Sequence, residues 1–186
     1  ERKKFCNEEN KPMIAYNILR DSEGFYYVFC KLEEIDTVPK FTPDSEKRRR
    51  DLEEYEKRHR QLPFLMSPMI TNGALAIELA FKFLIFKENL EFECEHKLDI
   101  LFLQLPQKYG DELRTKIYEQ IHQNEESLMK NLNQISNLFV EARYSFEQDT
   151  IGYSNFFTDL VHLVCDYVID MKKEYIYEED DILADD

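Results

Sequence analysis

The chain has 186 residues, 43% of them hydrophobic, and a net charge of −14 at pH 7. That length and apolar content suffice for one sizeable core, while the charge opposes nonspecific attraction of the whole molecule to nucleic acid or to an anionic membrane. Gly and Pro are scarce, Trp is absent, and Leu, Glu, Lys and Ile fill the long segments, which favours an all-α protein over a turn-rich sheet.

In chain order, a charged start leads to Pro12, well suited to the first turn of a helix, and Ala15, Leu19, Tyr26 and Phe29 keep a helical period towards Ile35. Gly24 leaves two options open, one helix or two pieces broken near Ser22, ending before the turn from Pro39 to Pro43. From Asp44 to Gln61 the chain reads as a charged, exposed helix whose only large apolar residues are Leu52 and Tyr55. Its seven basic residues are nearly matched by acids, which favours a solvated helix laced with ion pairs; Lys47, Arg48, Arg49 and Arg50 form the one patch suited to a phosphate backbone.

Gln61 to Pro68 is a proline-punctuated connection into the most apolar run of the chain, Thr71 to Phe86. A helix there is apolar nearly all round and belongs in the interior. Glu78 and Lys82, four residues apart, interrupt it and share a narrow polar stripe with Thr71 and Asn89. They also break the run short of the ~18 apolar residues of a membrane span. His96 opens the short segment HKLDILFLQLP, closed by Pro106. Leu113, Ile117 and Ile121 mark one face of the next helix. Leu128, Leu132, Ile135, Phe139, Ala142 and Phe146 mark a long one from Glu125 to Glu147, and Phe157, Leu160, Val161, Val164, Val168 and Met171 the last, Asn155 to Lys172. Three domain segments are expected: 1–66 packed on or flanking the bundle, a helical core over 67–173, and an acidic tail over 174–186 with seven acidic residues and no basic one.

Each of the four histidines follows an acid by three residues: Glu56 and His59, Glu93 and His96, Glu119 and His122, Asp159 and His162. Glu-x-x-His pairs on inward faces hold di-iron sites in bundles, but Glu119 and Asp159 lie about 200° from the apolar stripes of their helices. No metal site is expected. Cys6, Cys30, Cys94 and Cys165 are widely spaced, without CxxC pairs, and read as idle thiols in a reducing cytosol. Phosphate-binding glycine loops and HExxH are absent from the sequence, and no cofactor is expected.

The succession NGALAIELAFKFLI, HKLDILFLQLP and FVEARYSFE resembles the HEPN family (higher eukaryotes and prokaryotes nucleotide-binding) over about Ile70 to Asp170. The positions that carry the likeness are Asn72, Ala76, Glu78, Lys82, His96, Leu98, Leu101, Phe102 and Arg143. The resemblance implies a helical bundle of about four main helices plus short connecting ones, a homodimer that brings two Arg143 helices together, and a ligand site of Asn72, Glu78, Lys82, His96 and Arg143. Many members are metal-independent ribonucleases with a His four to six residues after the Arg. Here Tyr144 to Thr150 contain none, so the resemblance implies a non-catalytic binder of nucleotide, RNA or a partner protein, in the cytoplasm, in bacterial stress response or phage defence. The alternatives are a variant ribonuclease with Arg143 and His96 as catalytic candidates, and a pure protein-interaction module using the charged helix or the acidic tail.

Overall fold

A computed structural model of the chain describes residues 11–36, 43–60, 65–88, 95–143 and 155–172. All regular structure among them is α-helical, in seven helices: α1 (Lys11–Asp36), α2 (Ser45–His59), α3 (Met66–Glu88), α4 (Leu98–Leu103), α5 (Gln107–Ile121), α6 (Glu125–Arg143) and α7 (Asn155–Asp170). The expected all-α bundle is therefore present. The starting tract, the turn after Asp36, Asn89, Glu93, Phe146 and the acidic tail lie outside the described residues.

Helix α3 is the axis of the packing. It starts five residues before Thr71, with Pro68 in its first turn, where a missing N–H costs nothing. Helix α1 lies along it in the most extensive contact among the described helices; α4, α6 and α7 close further sides, and α5 packs on α7. One helix on all sides of α3 would not suffice, and the apolar character round its whole circumference is matched by four neighbours. By length and composition α3 is apolar enough to cross a membrane, yet most of that stretch is buried against its own neighbours.

The convergence of α1, α3 and α7 depends on Gly73. A Cβ there would lie 2.7 Å from Phe157 Cζ and 3.0 Å from both Phe29 Cδ2 and Val161 Cγ2. The space is taken instead by the Phe29 and Phe157 rings, edge to face with centroids 6.0 Å apart. Ser22, buried on α1, donates from Oγ to the Ala76 carbonyl at 2.9 Å and so does not break the helix. Gly24 does not break it either, and α1 runs as one helix past both residues.

Local signals account for the ends. The Asp44 carboxylate caps α2, accepting from Glu46 N at 3.0 Å and Lys47 N at 3.1 Å. Pro106 precedes α5, and His122 ends it with a left-handed φ of 58°. On α5 Leu113 and Ile117 are buried and Ile121 partly so; on α7 Phe157, Leu160, Val161, Val164 and Val168 are buried, with Met171 at the rim. Helix α2 has an almost wholly exposed surface and makes no extensive contact with another helix.

Candidate functional site

Glu78 and Lys82 face inward on α3 and are buried, with side chains only 6% and 9% exposed. Four residues apart, they meet one turn along, and Lys82 Nζ donates to Glu78 Oε1. The same oxygen lies 2.9 Å from His96 Nδ1. His96 itself is 72% exposed, so its ring is the outer member of a chain that begins in the core. The carboxylate fixes the ring, and the ammonium balances the carboxylate.

The backbone around His96 is held as firmly as the ring. Glu95 Oε1 accepts from His96 N at 2.7 Å and from Lys97 N at 2.9 Å; these two amides, Lys97 first, hold the Glu95 carboxyl below its ordinary range. One residue further on, Leu98 N donates to Ser136 Oγ at 2.9 Å, and Ser136 donates back to the Leu132 carbonyl on α6. The entry to α4 is thus tied to α3 through the His96 ring and to α6 through Ser136. The next residue, Asp99, accepts through Oδ2 from Asn133 of α6 at 3.1 Å, while its Oδ1 is buried with no hydrogen-bond partner among the described residues.

Of the residues singled out from the sequence, the structure brings Glu78, Lys82 and His96 together. Asn72 lies about 240° around α3 from Glu78, and its Nδ2 donates to the Pro68 carbonyl at 2.7 Å, back onto its own helix. Arg143 is the last residue of α6, and its side chain is outside the described residues. Lys47, Arg48, Arg49 and Arg50 are exposed on the first turns of α2, where Arg49 reaches Glu53 at 3.4 Å and Arg50 Nε reaches the Glu46 carbonyl at 3.4 Å.

A second histidine cluster was not legible as such. His162 on α7 sits against α1, with Nε2 2.8 Å from Glu33 Oε2 and Nδ1 2.7 Å from Tyr26 Oη. Tyr26 also donates to Asp166 at 2.9 Å, and the edges of the Tyr26 and Phe29 rings meet the imidazole. Together the three contacts join two carboxylates, a phenol and an imidazole in one chain of hydrogen bonds from α1 to α7. Burial, then the Asp166 carboxylate, raises the Tyr26 phenol well above its ordinary value. Burial also raises the Cys30 thiol nearby and, more strongly, that of Cys165. The sequence signal for this cluster is faint: Tyr26 and Glu33 seven apart on one helix, His162 and Asp166 four apart on another, all at the margins of apolar stripes. Asp159, the acid that precedes His162, is exposed and takes no part.

Among the described residues no group of three or more His, Cys, Asp or Glu side chains is placed to hold a metal ion. A shallow groove of about 480 Å³ runs between α5 and α7 beside Glu112, Lys116, Asp166 and Tyr167; none of Glu78, Lys82 and His96 lines it. No family model, no curated protein and no solved structure matches this chain.

Proposed function

We propose that the protein is a HEPN-type bundle that binds nucleotide or RNA without cleaving it, and that His96 is the group it offers to the phosphate. The observation that carries this reading is the graded burial of the Glu78, Lys82 and His96 chain. Its two buried members satisfy each other, which leaves one oriented imidazole at the surface. With Nδ1 turned to the Glu78 carboxylate, Nε2 is the ring nitrogen left for a ligand, and a protonated ring donates from it to a phosphate oxygen. Cleavage of a phosphodiester by general acid–base catalysis uses two proton-transfer groups, and here the second candidate, Glu78, is already engaged by Lys82 and His96.

The test is binding of a labelled single-stranded RNA and a panel of nucleotides, followed by fluorescence anisotropy. Wild type binds at least one of them, and His96→Ala weakens that complex about tenfold, the value of one charge-assisted hydrogen bond. Arg143→Ala, at the helix end implied by the family resemblance, weakens it too. Equal affinity of wild type and both variants for every ligand sinks the reading.

A variant ribonuclease is favoured by one feature of the same site, the ring held by a buried carboxylate as a catalytic acid or base would be. Cleavage of mixed RNA in excess chelator, absent from His96→Ala, would replace binding with catalysis. Binding of a protein that disappears when α2 is removed would favour the interaction module instead.

A further inference from the structure

The outward face of α1 carries exposed apolar side chains. Met13 and Tyr27 are 60% and 62% exposed, and Val28 and Ile35 join them at 41% and 40%, all on a helix whose opposite face, Ala15, Leu19 and Phe29, is fully in the core. In the middle of that outward face stands Gly24, and a Cβ built on it meets nothing within 4 Å. A glycine inside an exposed helix is less stable there than alanine would be. At Gly73 the chain's own packing explains the missing Cβ; at Gly24 nothing among the described residues does. What a bare Cα permits is close approach of another backbone.

We infer that the outward face of α1 docks an antiparallel second copy of itself, with a two-fold axis passing at Gly24. The face is self-complementary about that point. Residues equally far before and after Gly24 oppose each other across such an axis, so Met13 meets Ile35, Asn17 meets Lys31, Arg20 meets Val28 and Asp21 meets Tyr27. Apolar meets apolar at both ends. The Tyr27 hydroxyl is matched to the Asp21 carboxylate, and the aliphatic stem of Arg20 to Val28. Charge supports a second copy over a basic or acidic partner: on a chain of −14 this face carries Arg20 and Lys31 against Asp21 and Glu34, and is balanced. Two acidic molecules can approach there without the repulsion that opposes them elsewhere. With α1 about 39 Å long, the contact sits at the small end of specific interfaces, so the dimer is weak and depends on concentration.

This inference stands apart from the nucleotide reading and differs from the dimer implied by the family resemblance. Helix α1 packs on α3 and α7, whereas α6, which ends at Arg143, packs on α3 and α4. The experiment is sedimentation of the full chain over a range of concentrations, beside a cross-linking pair. Wild type dimerises reversibly. Gly24→Ala loses about tenfold or more in dimer affinity because its Cβ enters the crossing, yet melts higher than wild type at concentrations where both are monomeric. Under mild oxidation an equimolar mixture of Asn17→Cys and Lys31→Cys forms a disulfide between the two variants in high yield, while wild type and Tyr118→Cys do not cross-link. A monomer at every concentration, an unchanged dimer in Gly24→Ala, or cross-linking of Arg143→Cys to its own copy in place of the Asn17→Cys and Lys31→Cys pair overturns the proposal.

Discussion

The two histidine clusters use the same pair of chemistries, imidazole and carboxylate, for opposite ends. At His96 the carboxylate is buried and the ring is exposed; at His162 ring and carboxylate are both half-buried, each donated by a different helix. The first arrangement supports a side chain that points at solvent. The second closes a seam, because Glu33 and Tyr26 come from α1 while His162 and Asp166 come from α7. Residue type alone does not separate a presented histidine from a structural one; what separates them is which partner is buried.

Substitutions that remove one member at a time sharpen the contrast. Lys82→Met has the largest expected effect, a loss of about 3–5 kcal/mol in urea unfolding, because it strands the buried Glu78 carboxylate. Adding Glu78→Gln restores much of that loss. His162→Ala follows, with a cost of about 1–2 kcal/mol for the hydrogen bonds that join α1 to α7. His96→Ala changes stability by no more than about 0.5 kcal/mol, since the removed ring is mostly in water and Lys82 still balances Glu78. A stability loss at His96 as large as that at His162 would erase the distinction.

The smallest effect is in pH dependence. The Tyr26 phenol is raised in the folded state, first by burial and then by Asp166, so above its unfolded value near 10 the native state holds a proton that the unfolded state has lost. Its contribution is present in full below about pH 10 and declines as pH rises further. The advantage of wild type over Tyr26→Phe in urea unfolding therefore shrinks between about pH 9.5 and 11, and a constant difference would contradict the buried phenol.

Much of the fold was legible because it follows from local patterns. The run of Ala, Leu, Ile and Phe from Ala74 to Phe86 marks a helix enclosed by neighbours, and the stripes of α5 and α7 name the residues that face the core. Gly24 was ambiguous for a physical reason: a glycine lowers helix propensity by about 1 kcal/mol, and tertiary packing of Leu19, Ser22 and Phe29 on α3 exceeds that. In the site, the Glu78 and Lys82 pair is a spacing of four, readable from the sequence. His96 joins it across 18 positions and a turn of the chain, and only the family pattern placed the three together. The His162 cluster spans 129 positions or more, and no periodicity within one helix can reveal it.

The order of the helices also bears on synthesis. Helix α1 precedes α3, so the most apolar segment of the chain leaves the ribosome after its largest covering surface has been made. A nascent chain that has reached Glu88 already contains Ala15, Leu19 and Phe29 to lay against it, and α6 and α7 arrive to close sides that remain. Exposed apolar surface during translation is what draws chaperones and aggregation. Moving α1 to the other end of the chain would leave the finished contacts available but α3 without its largest cover until the last helix appeared.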